Sequence, residues 1–516
     1  MSIEKSTTAS INAGTTNPRL RQLLGPASLL LHPLWSPGLL LLASLPLVAI
    51  ASKPVGVLLA TLSTYLLLMA VKMEESWLTL TPLPPLTILC LGAWLRSGLG
   101  GLLIAIGKPM ELAESNSAYW RQLVPAQGLW IVLMAAAIAV FACWPPAKAP
   151  AASNSQSARL KTLLSLTFAC GLFAITWMGV GVIFGTLDRN PTTYLYWVAQ
   201  RWRPDSILTM FARLRDVFFL LAPLAIFKAK RGLHRLLLLS MLLGYVALAL
   251  PMGGRGLLLY PILFTVLGIW LTPISARTLR LIIIGALIFM VVAIPSIEIY
   301  RGSAKFSTVG RGDIVKRIGL ALGSSSQVLN EIEPTKSLTA TGISLYACSD
   351  SYLFEDPAHS RPRAGWHRMQ ALLTAWLPEL LVPKTVPLRD GHIIAEEIRG
   401  RNRSEAESMT YTSFPCVSLG ADLYWRGGWT AVVIGSGLFI VAYRLLSSLW
   451  YRYAGWASTW EILLLLYPST FLTMYPASSI GETAWLWMWD LPKYVVLISI
   501  ICLITGKMAR KSAPTS

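Results

Sequence analysis

An all-α polytopic membrane protein with about twelve spans is the fold class this chain predicts, on three observations. Hydrophobic residues fill 54% of its 516 positions and charged ones 13%, with a mean hydropathy of +0.57, outside the range of soluble globular domains. Apolar runs of about twenty residues, the length that crosses a bilayer, follow one another with short gaps. One long polar interruption, residues 298–427, breaks the series just before the tenth run.

Residues 1–35 form a polar tail without the layout of a cleavable signal peptide, and are expected to stay cytoplasmic. Spans one to nine occupy 36–297, near 36–52, 55–71, 84–106, 127–144, 163–185, 208–227, 236–250, 256–272 and 281–297. Pro46 and Pro223 imply kinks that neighbouring helices must absorb. Residues 428–506 hold three more spans, near 428–446, 461–476 and 491–506, and 507–516 form a second cytoplasmic tail.

Orientation follows from the short connections. Arg19, Arg21, Lys148, Arg159, Lys161, Arg277, Arg280, Lys507, Arg510 and Lys511 fall on one side if both termini are cytoplasmic. The turn from Tyr475 to Asp490 has no Lys or Arg. Residues 298–427 are then extracytoplasmic, periplasmic in a bacterial inner membrane.

The formal net charge of +19 raises the possibility of a nucleic-acid partner. Its distribution argues against one. The long loop holds 15 Lys and Arg against 14 Asp and Glu, so the surplus belongs to short cytoplasmic segments such as Lys228 to Arg235. Four of the six cysteines (Cys90, Cys143, Cys170, Cys502) lie in spans as small apolar fillers, while Cys348 and Cys416 share the loop and are able to pair in an oxidising compartment. No Cys/His group has metal-ligand spacing and no phosphate-binding loop is present, so neither metal nor nucleotide cofactor is expected. Chemistry on the outer face must then draw on a substrate that is already activated.

Three groups of polar residues mark that face. The first is Arg189, Arg201, Arg203, Arg213 and Arg215, interleaved with Trp197 and Trp202. The second is Pro251-Met252-Gly253-Gly254-Arg255-Gly256, read as a tight turn with Arg255 its single charge. The third is the loop itself, with Arg301, Lys305, Arg311, Arg317, Lys384, Arg389, Arg399, Arg401 and Arg403. Arginine outnumbers lysine there eleven to four, and guanidinium suits two-point recognition of phosphate or carboxylate. The plainer reading is a set of solvated or headgroup-facing arginines. Arg96, inside the third span, fits either a functional charge or a snorkelling one. Met369 to Val382 reads as an interfacial helix or as the core of a small outer subdomain. Asp390, His392, Glu396 and Glu397 are the densest group of proton acceptors near basic residues.

Read in order, the Gly-Gly-Arg-Gly segment at 253–256, Leu377-Pro378-Glu379-Leu380-Leu381-Val382-Pro383-Lys384, and Leu419-Gly420-Ala421-Asp422-Leu423-Tyr424-Trp425-Arg426-Gly427-Gly428-Trp429 resemble the Wzy-type O-antigen polymerases, the oligosaccharide repeat-unit polymerases. The resemblance covers roughly residues 240–450 and is strengthened by the large loop before span ten. It implies a membrane fold of the GT-C type and a metal-independent, inverting glycosyl transfer on the periplasmic face. The substrate would be an oligosaccharide on undecaprenyl diphosphate, with membrane lipid, a chain-length regulator and a flippase as partners. Arg255 would hold the diphosphate or glycan, joined by Arg213, Arg215, Arg301, Arg311 and Arg389. Lys384 would match the family's Pro-x-Lys lysine. Asp422 and Tyr424 would match a Gly-Glu-Leu-Tyr-like segment, from which Asp422 departs. His392, Glu396 and Asp422 are the candidate catalytic groups. An O-antigen ligase shares the layout, but the histidine usual before its next span is missing from Thr412-Ser413-Phe414-Pro415-Cys416. A transporter or flippase would place more polar groups within its spans.

Overall fold

The computed structural model describes residues 50, 52–75, 85–107, 116–145, 157–183, 208–249, 255–270, 276–302, 314–331 and 418–454, with 335, 337–339, 341, 342, 354, 480 and 496. Among them no strand occurs. In chain order the elements are α1 (Lys53–Glu75), α2 (Pro85–Trp94), a π-helical segment (Leu95–Gly100) running straight into α3 (Gly101–Ile106), α4 (Asn116–Cys143), α5 (Ser157–Ile183), α6 (Leu208–Lys228), α7 (Gly232–Ala249), α8 (Arg255–Trp270), α9 (Ala276–Gly302), α10 (Ile314–Glu331) and α11 (Leu419–Ala454).

Five stretches are long and apolar enough to cross a membrane: Lys53–Met73, Pro85–Ile106, Leu123–Cys143, Gly232–Ala249 and Leu419–Leu445. They coincide with predicted spans two, three, four, seven and ten. Helices also form at the fifth, sixth, eighth and ninth positions. Spans one, eleven and twelve lie outside the described residues, apart from single positions.

Two groups of helices pack around one apolar core. In the first, α4 is the pillar, packed on α1, α2 and α11. Nearly three quarters (72%) of its apolar window is buried, so no face of it is left polar. At one end of this group the Tyr443 hydroxyl donates to the Pro85 carbonyl at 3.0 Å, and Arg444 Nε donates to the Trp144 carbonyl at 2.8 Å. At the other end Gly56 of α1 lies against Trp120 of α4, a close approach that a larger residue would prevent.

The second group is α5 to α10. The helix α6 packs on α5 and α8, and joins α7 through the short link 229–231, which makes α6 and α7 an antiparallel pair. Gly268 of α8 sits on α6 beside Pro223, where an added Cβ would collide with the Leu220 carbonyl and lie 3.1 Å from the proline ring. The helix α10 packs on α9, with Ala321 and Ser324 buried and Leu322 exposed.

Parts of the long interruption belong to the bundle. The helix α9 continues to Gly302, and α11 begins at Leu419, so both ends of 298–427 are helical extensions of spans. Ser337, Thr339 and Thr341 are buried as well. Cys90 and Cys170 are buried as expected, whereas Cys143, at the end of α4, is exposed.

Candidate functional site

The helix α11 starts on a cap. Ser418 Oγ accepts the Ala421 N–H at 3.0 Å, satisfying one of the free donors of the first turn. One turn later come Asp422 and Arg426, four apart and therefore on one face. Arg426 Nε donates to Asp422 Oδ1 at 2.8 Å, and both side chains are buried, at 4% and 0% exposure. The Ile480 N–H donates to Asp422 Oδ2 at 2.9 Å. Both carboxylate oxygens are thus engaged. The resemblance made Asp422 a candidate catalytic group; in the fold its carboxylate also ties α11 to residue 480.

The helix then breaks. Gly427 (φ −145°, ψ 15°) and Gly428 (φ 65°, ψ −160°) leave the helical region, and the conformation of Gly428 is one that only glycine adopts readily. The short limb 419–426 folds back far enough for Leu423 to pack on Gly435 of the long limb. Tyr424 stands at the break, its ring 4.8 Å from Phe354 and 5.4 Å from Trp429 between centroids. Phe354 comes from the long loop, so the loop and span ten meet at Tyr424.

The second polar set lies in α6 and α7. Arg215 Nε and Nη2 both lie 2.7 Å from Asp216 Oδ1, and Nη1 lies 3.4 Å from the Tyr245 hydroxyl of α7. Arg215 and Asp216 are 8% and 2% exposed. Phe219 packs edge-on against Tyr245 and closes the apolar side. Buried charge of this kind persists only when paired and hydrogen-bonded.

Two corrections to the sequence reading follow. Arg213 and Arg215, grouped with the outer-face arginines, lie inside α6, the helix at the predicted span near 208–227. Arg255 is the first residue of α8 rather than a turn residue. The α6/α7 hairpin sets Arg215 level with Tyr245, one turn short of the end of α7, and five residues then lead to Arg255. Arg213 and Arg215 thus lie in the first half of α6, and Arg255 opens α8, which packs on α6. Arg301 is the penultimate residue of α9. Arg311, Lys384, Arg389, His392 and Glu396 lie outside the described residues.

Sequence reasoning gave no role to Arg426, Arg444 or Gln127. Arg444 is 2% exposed, its guanidinium 5.4 Å and 5.1 Å from the ring centroids of Phe141 and Trp144. Gln127, fully buried in α4, donates from Nε2 to the Ser97 carbonyl at 3.0 Å. The signal that could have found all three was available: a charge or amide within an apolar run. Arg96, noted for that reason, is partly buried with its guanidinium 5.0 Å from the Trp130 ring centroid. Among the described residues no group of three His, Cys, Asp or Glu could hold a metal ion.

No family model matches this chain, and no curated protein or solved structure matches it significantly.

Proposed function

We propose that this chain is a bacterial inner-membrane glycosyltransferase of twelve spans and GT-C-like fold. It would polymerise oligosaccharide repeat units carried on undecaprenyl diphosphate, working on the periplasmic face. One observation carries the reading: Arg213 and Arg215 lie in the first half of α6, and Arg255 begins α8, the helix packed on it. Arginines carried by two packed apolar helices suit a lipid diphosphate, whose charge must sit at the edge of the membrane while its chain stays within it. Asp216 and Tyr245 hold Arg215 in one orientation, and a donor fixed in advance stabilises developing negative charge without reorganising.

In the reaction a hydroxyl oxygen of the incoming unit bonds to the anomeric carbon of the growing chain as the bond to diphosphate breaks. The electron pair leaves with the diphosphate, where the arginines offset it. The hydroxyl proton passes to His392 or Glu396. Asp422 anchors the short helix that carries Tyr424, whose ring faces Phe354 and Trp429.

A transporter of lipid-linked sugars is the second reading, favoured by the break at Gly427 and Gly428, since discontinuous helices line many transport sites. Glycan analysis of a deletion strain separates the readings. Single repeat units on the final acceptor support a polymerase, and their complete absence a ligase. Accumulation of lipid-linked units on the cytoplasmic face supports a transporter. Arg255→Lys keeps the charge and loses the fork; unchanged polymer length and amount would remove Arg255 from the site.

A further inference from the structure

A membrane-length helix with a π-helical turn at its middle contains one residue more than a regular α-helix needs over the same rise. Leu95–Gly100 is such a turn, between α2 and α3. The carbonyl it leaves at Ser97 is taken by the Gln127 carboxamide. Gly101 makes room for that amide, because an added Cβ would collide with Gln127 Nε2. Ser97 Oγ donates to the Ala93 carbonyl at 3.0 Å and shares a 2.6 Å hydrogen bond with Ser63 Oγ of α1. Trp94 Nε1 donates to Thr64 Oγ1 at 2.9 Å. Three helices thus hold the bulge by polar contacts in an apolar interior.

Just beyond the bulge, the long loop touches the same helix. An added Cβ on Gly342 would lie 2.8 Å from the Gly100 carbonyl oxygen, and one on Gly107 2.7 Å from the Thr335 carbonyl oxygen. Ser337 Oγ donates to the Val291 carbonyl of α9 at 2.5 Å, and Thr341 is 1% exposed. Thr335, Ser337, Thr339, Thr341 and Gly342 therefore form a strap seated on α3 with one side and on α9 with the other, so it joins the two helix groups. Its fit on α3 depends on which face α3 presents. A regular α-helix through the bulge would turn α3 by about 100°, one residue's share of a turn, and carry Gly107 away from Thr339.

We propose that the π segment is a conformational latch. Gln127 keeps the bulge in place, the bulge keeps α3 facing the strap, and the strap couples the long loop to both helix groups. Straightening the bulge releases the strap. The seated state carries a built-in cost that favours exchange: Gln127 Oε1 and Thr335 Oγ1 are buried without a hydrogen-bond partner among the described residues. Release of the strap frees Thr335 Oγ1 to find a partner and relieves its share of that cost, as a two-state element requires. The latch is independent of the glycosyltransferase reading and applies equally to a transporter.

Cysteine cross-linking in membranes tests it, in a chain whose six native cysteines are replaced by alanine. The strap reporter is Gly107→Cys with Thr339→Cys. A control pair in the other group is Gly171→Cys with Met241→Cys, whose side chains meet across α5 and α7. With Gln127 intact, both pairs cross-link under mild oxidant. Gln127→Met keeps the volume and removes the amide, and should slow the strap pair at least tenfold with the control unchanged. Deleting Leu99 removes the surplus residue, and should restore the strap pair in the Gln127→Met background. An unchanged strap rate in Gln127→Met overturns the proposal. If that variant loses both pairs, the Leu99 deletion decides: recovery of the strap pair supports the latch, and continued loss overturns it.

Discussion

Asp422 with Arg426 and Arg215 with Asp216 are both buried ion pairs inside helices, but they face different tasks. The first joins residues one turn apart and also accepts a backbone N–H from residue 480, so each carboxylate oxygen is used and the charge is closed off. The second joins chain neighbours, with a 3.4 Å contact from Arg215 Nη1 to the Tyr245 hydroxyl. The first pair sits beside a glycine break that needs holding. The second sits on α6, which packs on α8, the helix that Arg255 begins. On the proposed function the first pair holds the fold, and the second holds a guanidinium for an anion.

The largest expected effect breaks the first pair. Asp422→Ala leaves Arg426 buried without its carboxylate and should cost about 3–5 kcal/mol, read as a lower midpoint in thermal unfolding in detergent. Replacing both partners with apolar residues, Asp422→Leu with Arg426→Met, should bring stability back to within about 1–2 kcal/mol of the parent. It should also bring back part of the polymer. The same treatment of the second pair, Arg215→Met with Asp216→Leu, should recover stability equally well and leave no polymer on glycan gels. If both doubles recover polymer, the contrast between the pairs fails and Arg215 has no part in binding.

Smaller effects sharpen the role of the break. Gly428→Ala forces a side chain onto a backbone that favours glycine and should cost about 1–3 kcal/mol, with polymer falling alongside stability. Gly435→Ala pushes against Leu423 and should cost about 1–3 kcal/mol through overpacking. The smallest change is expected from Tyr424→Phe, which keeps the ring contacts with Phe354 and Trp429. Stability should move by less than about 1 kcal/mol, so any large loss of polymer in that variant isolates the hydroxyl.

Where the sequence was informative, the reason was period and length. Apolar runs near 55–71, 84–106, 127–144, 236–250 and 428–446 needed no knowledge of neighbours, and each is a helix. What a sequence hides is packing. Arg255 looked like a turn residue because three glycines surround it, yet the helix begins there. Asp422 and Arg426 stand one turn apart in the sequence, but the third partner, the Ile480 N–H, is defined only once the chain folds back on itself. Gln127 went unnoticed because an amide in an apolar run has no meaning until a π turn on another helix presents a carbonyl to it.

The bond from Tyr443 to Pro85 joins residues 358 positions apart, and that from Arg444 to Trp144 joins residues 300 apart. These contacts set an order of assembly. The pillar α4 leaves the ribosome long before α11 exists, and at about 5–20 residues per second the wait is on the order of 15–60 s. During that interval the face of α4 that will meet α11 must be shielded by lipid or by an insertion factor. When α11 joins, it closes a gap in a partly built structure, and mutations at Tyr443 or Arg444 should lower yield during synthesis more than they lower the stability of molecules that finish.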